Sequence, residues 1–282
     1  MAPHAVWTSY RIEQHHEDGP GYLGRHVEHD PRSIAYELSR DLFPKKLVSA
    51  KHDRLIPVLD QGNVGSCTGN DATGRTGTAP NYAPIPADNK YRPSATDADA
   101  DEKLARDTIY HMATQLDNVP GTYPGQDTGS TGLAAAKAVS KLGLIAGYQH
   151  AFNAETALAA LTTFPLGIGA AWLTGMDNPD SNGLVHVTGD VRGGHQFTAD
   201  EIDVEKKLVG FTNSWGLGWG VGGRFFMSFD DFEAMLDNDG DVICYVPLSK
   251  PAPTPTPTPT PSDVDKALHD IIALAQGALG AA

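Results

Sequence analysis

Cysteine is scarce in this chain: of 282 residues only Cys67 and Cys244 carry a thiol. No disulfide framework is available if either stays reduced, and packing alone must hold the fold. Long apolar runs are also missing, so no membrane span is expected. The first thirty residues, His15-His16-Glu17-Asp18 among them, lack the apolar core of a classical secretion leader. Positive charge is in deficit, with 21 Lys and Arg against 35 Asp and Glu and a formal net charge of −14. That balance argues against a nucleic-acid partner, which needs a basic face to displace counterions. The histidines at 15, 16, 26 and 29 have neither paired cysteines nor a regular helical spacing, so no metal is expected. The glycine-rich stretches lack the context of a phosphate loop, and no cofactor is implied.

What is present is a set of reactive side chains in recognisable local frames. Cys67 ends the run Asp60-Gln61-Gly62-Asn63-Val64-Gly65-Ser66-Cys67, Gly194 precedes His195, and Asn213 opens Asn213-Ser214-Trp215-Gly216. A thiol, an imidazole and an amide in this order are the parts of a cysteine-nucleophile hydrolase. Gly65-Ser66 reads as a turn and cap, so Cys67 should open a helix over Thr68–Thr73. The positive end of that helix would favour thiolate at Cys67. Cys244, in the apolar run 242–246, reads as a buried strand residue.

The stretch Asn213-Ser214-Trp215-Gly216-Leu217-Gly218-Trp219-Gly220, followed by Gly223-Arg224-Phe225-Phe226-Met227-Ser228, closely resembles a signature block of the papain-like (C1) cysteine peptidases. The resemblance spans Leu55 to Pro247. In that group the His and Asn follow the Cys by about 130–150 residues; here the separations are 195 − 67 = 128 and 213 − 67 = 146. Val64 and Thr68 depart from the usual cysteine and aromatic around the nucleophile, and Asp60-Gln61-Gly62 through Thr68 looks most like the bacterial and bacteriophage branch.

The resemblance implies an α+β, two-lobed fold, with a helical lobe facing an antiparallel sheet lobe across the active-site cleft. It implies Cys67 as nucleophile, His195 as acid and base, and Asn213 as the group orienting the imidazole. Gln61, six residues before Cys67, would supply an oxyanion donor together with the Cys67 N–H. Trp215 would cover the Asn–His contact. Substrate contacts fall on Ser130, Thr131, Gly132, Gly194 and Trp215, although Thr131 stands where the family has a glycine and the loop reads equally well as a helix cap. Gly194 suggests open space beside the imidazole. The implied function is hydrolysis of protein or peptide substrates through an acyl-enzyme. The alternatives are a cell-wall amidohydrolase or peptidase acting on peptidoglycan stem peptides, and a non-catalytic binding module on the same fold. A cytoplasmic or virion-associated location fits these readings.

Composition divides the chain into an N-terminal extension at 1–50, a catalytic body at 51–248, a Pro/Thr-rich linker at 249–261 and an amphipathic helix at 262–282. The extension is either a short propeptide or a strap packed on the domain, with a helical candidate around Ser33–Leu38. Helices are expected over Asp101–Leu116 and Leu133–Leu142, the latter stopped by Gly143. The proline-bearing loop Thr78–Ala98 should be an exposed excursion. Strands are expected over Leu166–Trp172, Gln196–Asp203 and Lys207–Asn213. The linker should be a semi-rigid polyproline-type spacer. The terminal helix carries Val264, Leu268, Ile271, Ala275 and Leu279 on one face, a stripe that calls for self-association or a docking partner.

Overall fold

Small and polar side chains let the helix that opens at Cys67 run through the interior. This helix, α1 (Cys67–Thr76), has all ten residues buried, in a computed structural model that describes residues 19–28, 30–249, 265, 266, 268–270 and 272. Beside it, Asp97 caps α2 (Ala98–Lys103), which continues through a π-helical stretch, Leu104–Tyr110, into α3 (His111–Leu116). The expected helix over 101–116 is therefore present, but widened in its middle. Thr131 caps α4 (Gly132–Lys141), and Gly143 follows at φ 68, a conformation glycine adopts without strain. The reading at 78–98 needs correction. Thr78, Asn81 and Ile85 are buried, Ile85 enters the helical core, and Asn81 Nδ2 donates to Arg75 O at 3.0 Å. An isoleucine between two prolines acts there as an apolar plug.

The second half of the chain, joined by one short strand at residues 50–51, forms an antiparallel sheet. Its strands are β1 (Ala50–Lys51), β2 (Gly147–Ala151), β3 (Leu166–Leu173), β4 (Val191–Asp203), β5 (Leu208–Thr212), β6 (Arg224–Ser228) and β7 (Asp241–Val246). Their order is β2-β7-β3-β4-β5-β6, with β1 added against β4. β4 starts five residues before the expected strand and so carries His195. Cys244 is buried in β7. Asn153 caps α5 (Ala154–Leu161) and Ser228 caps α6 (Phe229–Asp237). One apolar cluster, rich in Trp172, Phe197, Phe211 and Phe225, lies on the sheet side, and another, rich in alanine from α4, lies among the helices.

The described parts of both extensions lie against this body. The candidate helix at 33–38 is instead a 3₁₀ helix, Pro31–Tyr36, capped by Asp30. The chain is extended by Glu37, whose neighbour Leu38 donates to His150 O in β2 at 2.8 Å. At the other end, Leu268 and Ile272 are buried within the sheet-side core, and Asp265 accepts a hydrogen bond from Gln149 Nε2 at 2.6 Å. Four residues apart, Leu268 and Ile272 share a helix face, and Leu268 is the one member of the expected docking stripe among the described residues. Val264, Ile271, Ala275, Leu279, the Pro/Thr spacer, His15, His16 and His29 lie outside the described residues.

Candidate active site

Each lobe contributes one half of the candidate site. Cys67 is the first residue of α1, while His195 lies in β4 opposite Ala170 of β3. Asn213 follows β5 directly, its N–H bonded to Gly223 O at 2.9 Å. Asn213 Oδ1 lies 2.7 Å from His195 Nε2 and also accepts the Ser214 N–H at 2.8 Å. An oxygen that accepts one backbone donor takes its second from the imidazole, so His195 carries its proton on Nε2. Nδ1 is left as a buried acceptor with no hydrogen-bond partner.

Aromatic rings fix the imidazole in place. Trp215 stacks on it at 4.8 Å between ring centres and 23° between planes, and Trp172 meets it edge-on at 5.2 Å. Trp172 is held in turn by its N–H to Asp177 Oδ1 at 2.8 Å, and Asp177 pairs with Arg192. Gln61 is tied to the Asn213 segment, because its Oε1 accepts from Ser214 Oγ at 2.6 Å and its N–H bonds Ser214 O at 2.9 Å. One amide hydrogen of Gln61 is committed to Val64 O at 2.9 Å, which leaves the second for a ligand.

Behind the site is a buried polar network that the sequence reading missed. Asp71, one turn beyond Cys67 on α1, pairs with Arg75 at 2.7 Å and accepts from Gln196 Nε2 and Thr198 Oγ1 of β4. Arg75 reaches Ile243 O at 3.0 Å and Tyr245 Oη at 2.9 Å in β7. The helix bearing the thiol is thereby bolted to the strands bearing the imidazole. The Asp71/Arg75 spacing of four in an otherwise small-residue helix was the available signal.

The cleft between the lobes is occupied by residues 19–28. Ser130 N donates to Gly24 O, and His26 N donates to Ser130 O, both at 2.8 Å. On the other side, Gly24 N and Arg25 N both donate to Gly194 O, at 3.1 and 2.9 Å. Trp215 Nε1 donates to Tyr22 O at 3.0 Å. Ser130 and Gly194, both expected to hold a peptide, therefore hold the protein's own backbone. Thr131 serves as the α4 cap, its Oγ1 accepting from Ala134 N at 3.1 Å and meeting Glu28. Gly132 sits at the first turn of α4 against Gln196. The space expected beside the imidazole at Gly194 is filled, since a Cβ there would lie 2.1 Å from Arg25 O.

Closure reverses the expected ionisation. Cys67 and His195 have no exposed surface. Burial pushes the Cys67 thiol up to about 12, against backbone N–H groups of Gln196, Gly24 and Thr68 that pull it down. Burial likewise pushes His195 down to about 4, only partly offset by Asn213. In this form the pair is a neutral thiol and a neutral imidazole. The helix terminus cannot supply a thiolate while water is excluded.

Among solved structures, the chain is similar to xylellain, a cysteine protease from Xylella fastidiosa, at 15% identity, covering 86% of this chain and 100% of that one with a TM-score of 0.59. It is also similar to the digestive procathepsin L2 proteinase from Tenebrio molitor larval midgut, at 15% identity, 80% and 78% coverage and a TM-score of 0.48. A recombinant stem bromelain precursor aligns at 14% identity, 82% and 78% coverage and a TM-score of 0.46. No family model matches the chain, and no curated protein matches it in sequence. The xylellain likeness establishes the papain-like cysteine protease fold, an α+β fold of two lobes.

Proposed function

We propose that this chain is a cysteine peptidase held closed by its own N-terminal segment. The observation that carries the reading is the His195 Nε2–H to Asn213 Oδ1 bond in the cleft that also takes Cys67 at the start of α1, with Nδ1 left as a free acceptor. Once residues 19–28 leave, water and substrate reach both groups. Nδ1 takes the thiol proton, and Sγ attacks the scissile carbonyl carbon. The second Gln61 amide hydrogen and the Cys67 N–H stabilise the oxyanion, a donor of this kind contributing about 3–4 kcal/mol in the transition state. The imidazolium then protonates the leaving amine, and His195 deprotonates the water that cleaves the thioester. Asn213 keeps the ring in the productive tautomer throughout. Membership of the bacterial and bacteriophage branch is part of the same proposal and rests on the Asp60–Thr68 motif.

The test is hydrolysis of casein and of fluorogenic peptides by the full chain under reducing conditions, with purified cell wall as a parallel substrate. Cys67→Ala and His195→Ala should each abolish casein cleavage. Gln61→Ala should lower kcat by about 10²–10³. His186, which is exposed and faces Asp231 instead, should tolerate alanine with activity intact. Undiminished hydrolysis by the Cys67→Ala variant would end the nucleophile assignment. Cleavage confined to cell wall would move the substrate to stem peptides.

A further inference from the structure

Arg25 is the strap residue whose side chain goes deepest into the cleft, and its guanidinium has no exposed surface. Nη2 forms an ion pair with Asp241, at the start of β7, and donates to the Asp239 carbonyl at 2.8 Å. Nε and Nη1 find no partner, so the pocket accepts the group without satisfying it fully. Gly169 in β3 makes the space: a Cβ there would lie 2.6 Å from Arg25 Nε and 2.4 Å from Asp241 Oδ1. Beyond the ion pair opens a cavity of about 490 Å³ with Glu28, Asp30, Asp237, Asp239 and Asp241 on its wall.

The backbone at Arg25 is clamped from both lobes, in a parallel bridge with Ser130. Its N–H is on Gly194 O, and Ser130 bonds the residues on either side of it. A side chain held at this position by main-chain hydrogen bonds, one residue from the Gly24 N–H beside Sγ, must enter the pocket ending at Asp241.

We infer that this pocket is the specificity site of the peptidase, that it selects peptides with a basic side chain, arginine above lysine, next to the scissile bond, and that Arg25 is its resident occupant. The inference rests on the peptidase reading. Arginine is favoured because its planar fork spans the Asp241 carboxylate and the Asp239 carbonyl together, which a point-like ammonium does not. With the strap displaced, Asp241 faces the cleft without its cation, and an acidic substrate side chain would be repelled.

The test uses the full chain carrying Arg25→Ala, which empties the pocket. Cys67 in this variant should be alkylated by iodoacetamide at least tenfold faster than in the unaltered chain. Acetyl-Gly-Arg-Gly-amide should then slow alkylation at concentrations at least tenfold lower than acetyl-Gly-Leu-Gly-amide does. Adding Asp241→Asn, or Asp241→Leu should the first fail to fold, should remove the difference between the two peptides. This readout needs occupancy only, so it is independent of turnover. In a positional peptide library, the Arg25→Ala chain should prefer Arg by at least tenfold over Leu at one position beside the cleaved bond. Equal protection by the two peptides, a preference unchanged by Asp241 substitution, or no gain in alkylation from Arg25→Ala would each overturn the inference. Arginine-selective protection with no hydrolysis of any peptide would keep the pocket and discard the peptidase reading. Hydrolysis with no basic preference would do the reverse.

Discussion

Gly24 has no room for a side chain, because a Cβ there would lie 1.9 Å from Gly65 O, a backbone atom in the turn that precedes Cys67. Gly24→Leu should therefore lift the strap without touching any residue assigned to chemistry. The expected outcome is iodoacetamide labelling of Cys67 at least tenfold faster than in the unaltered chain, with Cys244 still unlabelled in β7. Labelling at the same slow rate would show that the strap bends around the new side chain. Arg75 makes a different prediction, since its removal leaves Asp71 as a buried charge facing Gln196 and Thr198. Arg75→Met should cost about 3–5 kcal/mol, read as a lower urea midpoint at unchanged slope. At this scale the residues proposed for chemistry, Cys67, His195, Asn213 and Gln61, could be singled out because each reactive type sits in a distinctive local frame. Arg25 was not, because one arginine in a polar extension carries no periodicity or spacing that says what it will meet.

The strap as an element has a pH dependence set by what it buries. In the closed form His195 titrates near 4, and His150, which burial also lowers to about 4, packs against the chain at Glu37–Leu38. Exposed histidine titrates near 6.5. As pH falls below that value, an opened form takes up protons that the closed form refuses, so closure weakens progressively down to about pH 4. For His195 alone the loss amounts to roughly 3 kcal/mol. At the alkaline end Cys67 acts in the opposite direction, since an opened thiol ionises near 9 while the closed one stays neutral to about 12. Closure should thus be strongest between about pH 6.5 and pH 9. Amide exchange of residues 21–27, corrected for intrinsic rates, should show protection falling between pH 6.5 and pH 4. Flat protection across that window would mean that the strap opens without exposing either imidazole. The helices and strands of the body were readable from caps and alternation, as Thr131 and β5 illustrate. The buried plug at Ile85 was not, because tertiary packing overrode the polarity around it, and neither was the 3₁₀ turn at Pro31–Tyr36, a single short turn that buries no residue and so leaves no apolar periodicity.

For the molecule as a whole, the described parts of both extensions brace the sheet. Gln149 Nε2 in β2 donates to Asp265 and, more distantly at 3.4 Å, to Glu37 O, so one amide touches both extensions. Truncation after Leu248 should leave kcat/KM on a small peptide unchanged. It should also cost about 2–4 kcal/mol of stability through the loss of Leu268 and Ile272, each buried side chain contributing about 1.5–3 kcal/mol before tail ordering is subtracted. Urea midpoints with and without the tail check this, and equal midpoints would show that the docked segment contributes nothing. Of the stripe that the sequence offered as a docking surface, Leu268 is the one described member, and it is buried within the chain together with Ile272, held at the high effective concentration of a tethered segment. The position of these braces matters in another respect. β2 and β6 are the two ends of the strand order, where unpaired N–H and C=O groups would template aggregation. Glu37 bridges to His150 at one end and Leu184 to Phe226 at the other, so each outer strand is partly covered by a passing segment of the same chain. A strap that opens fully, past Glu37, uncovers a sticky edge along with the thiol, so lasting release of residues 19–38 trades colloidal stability for access.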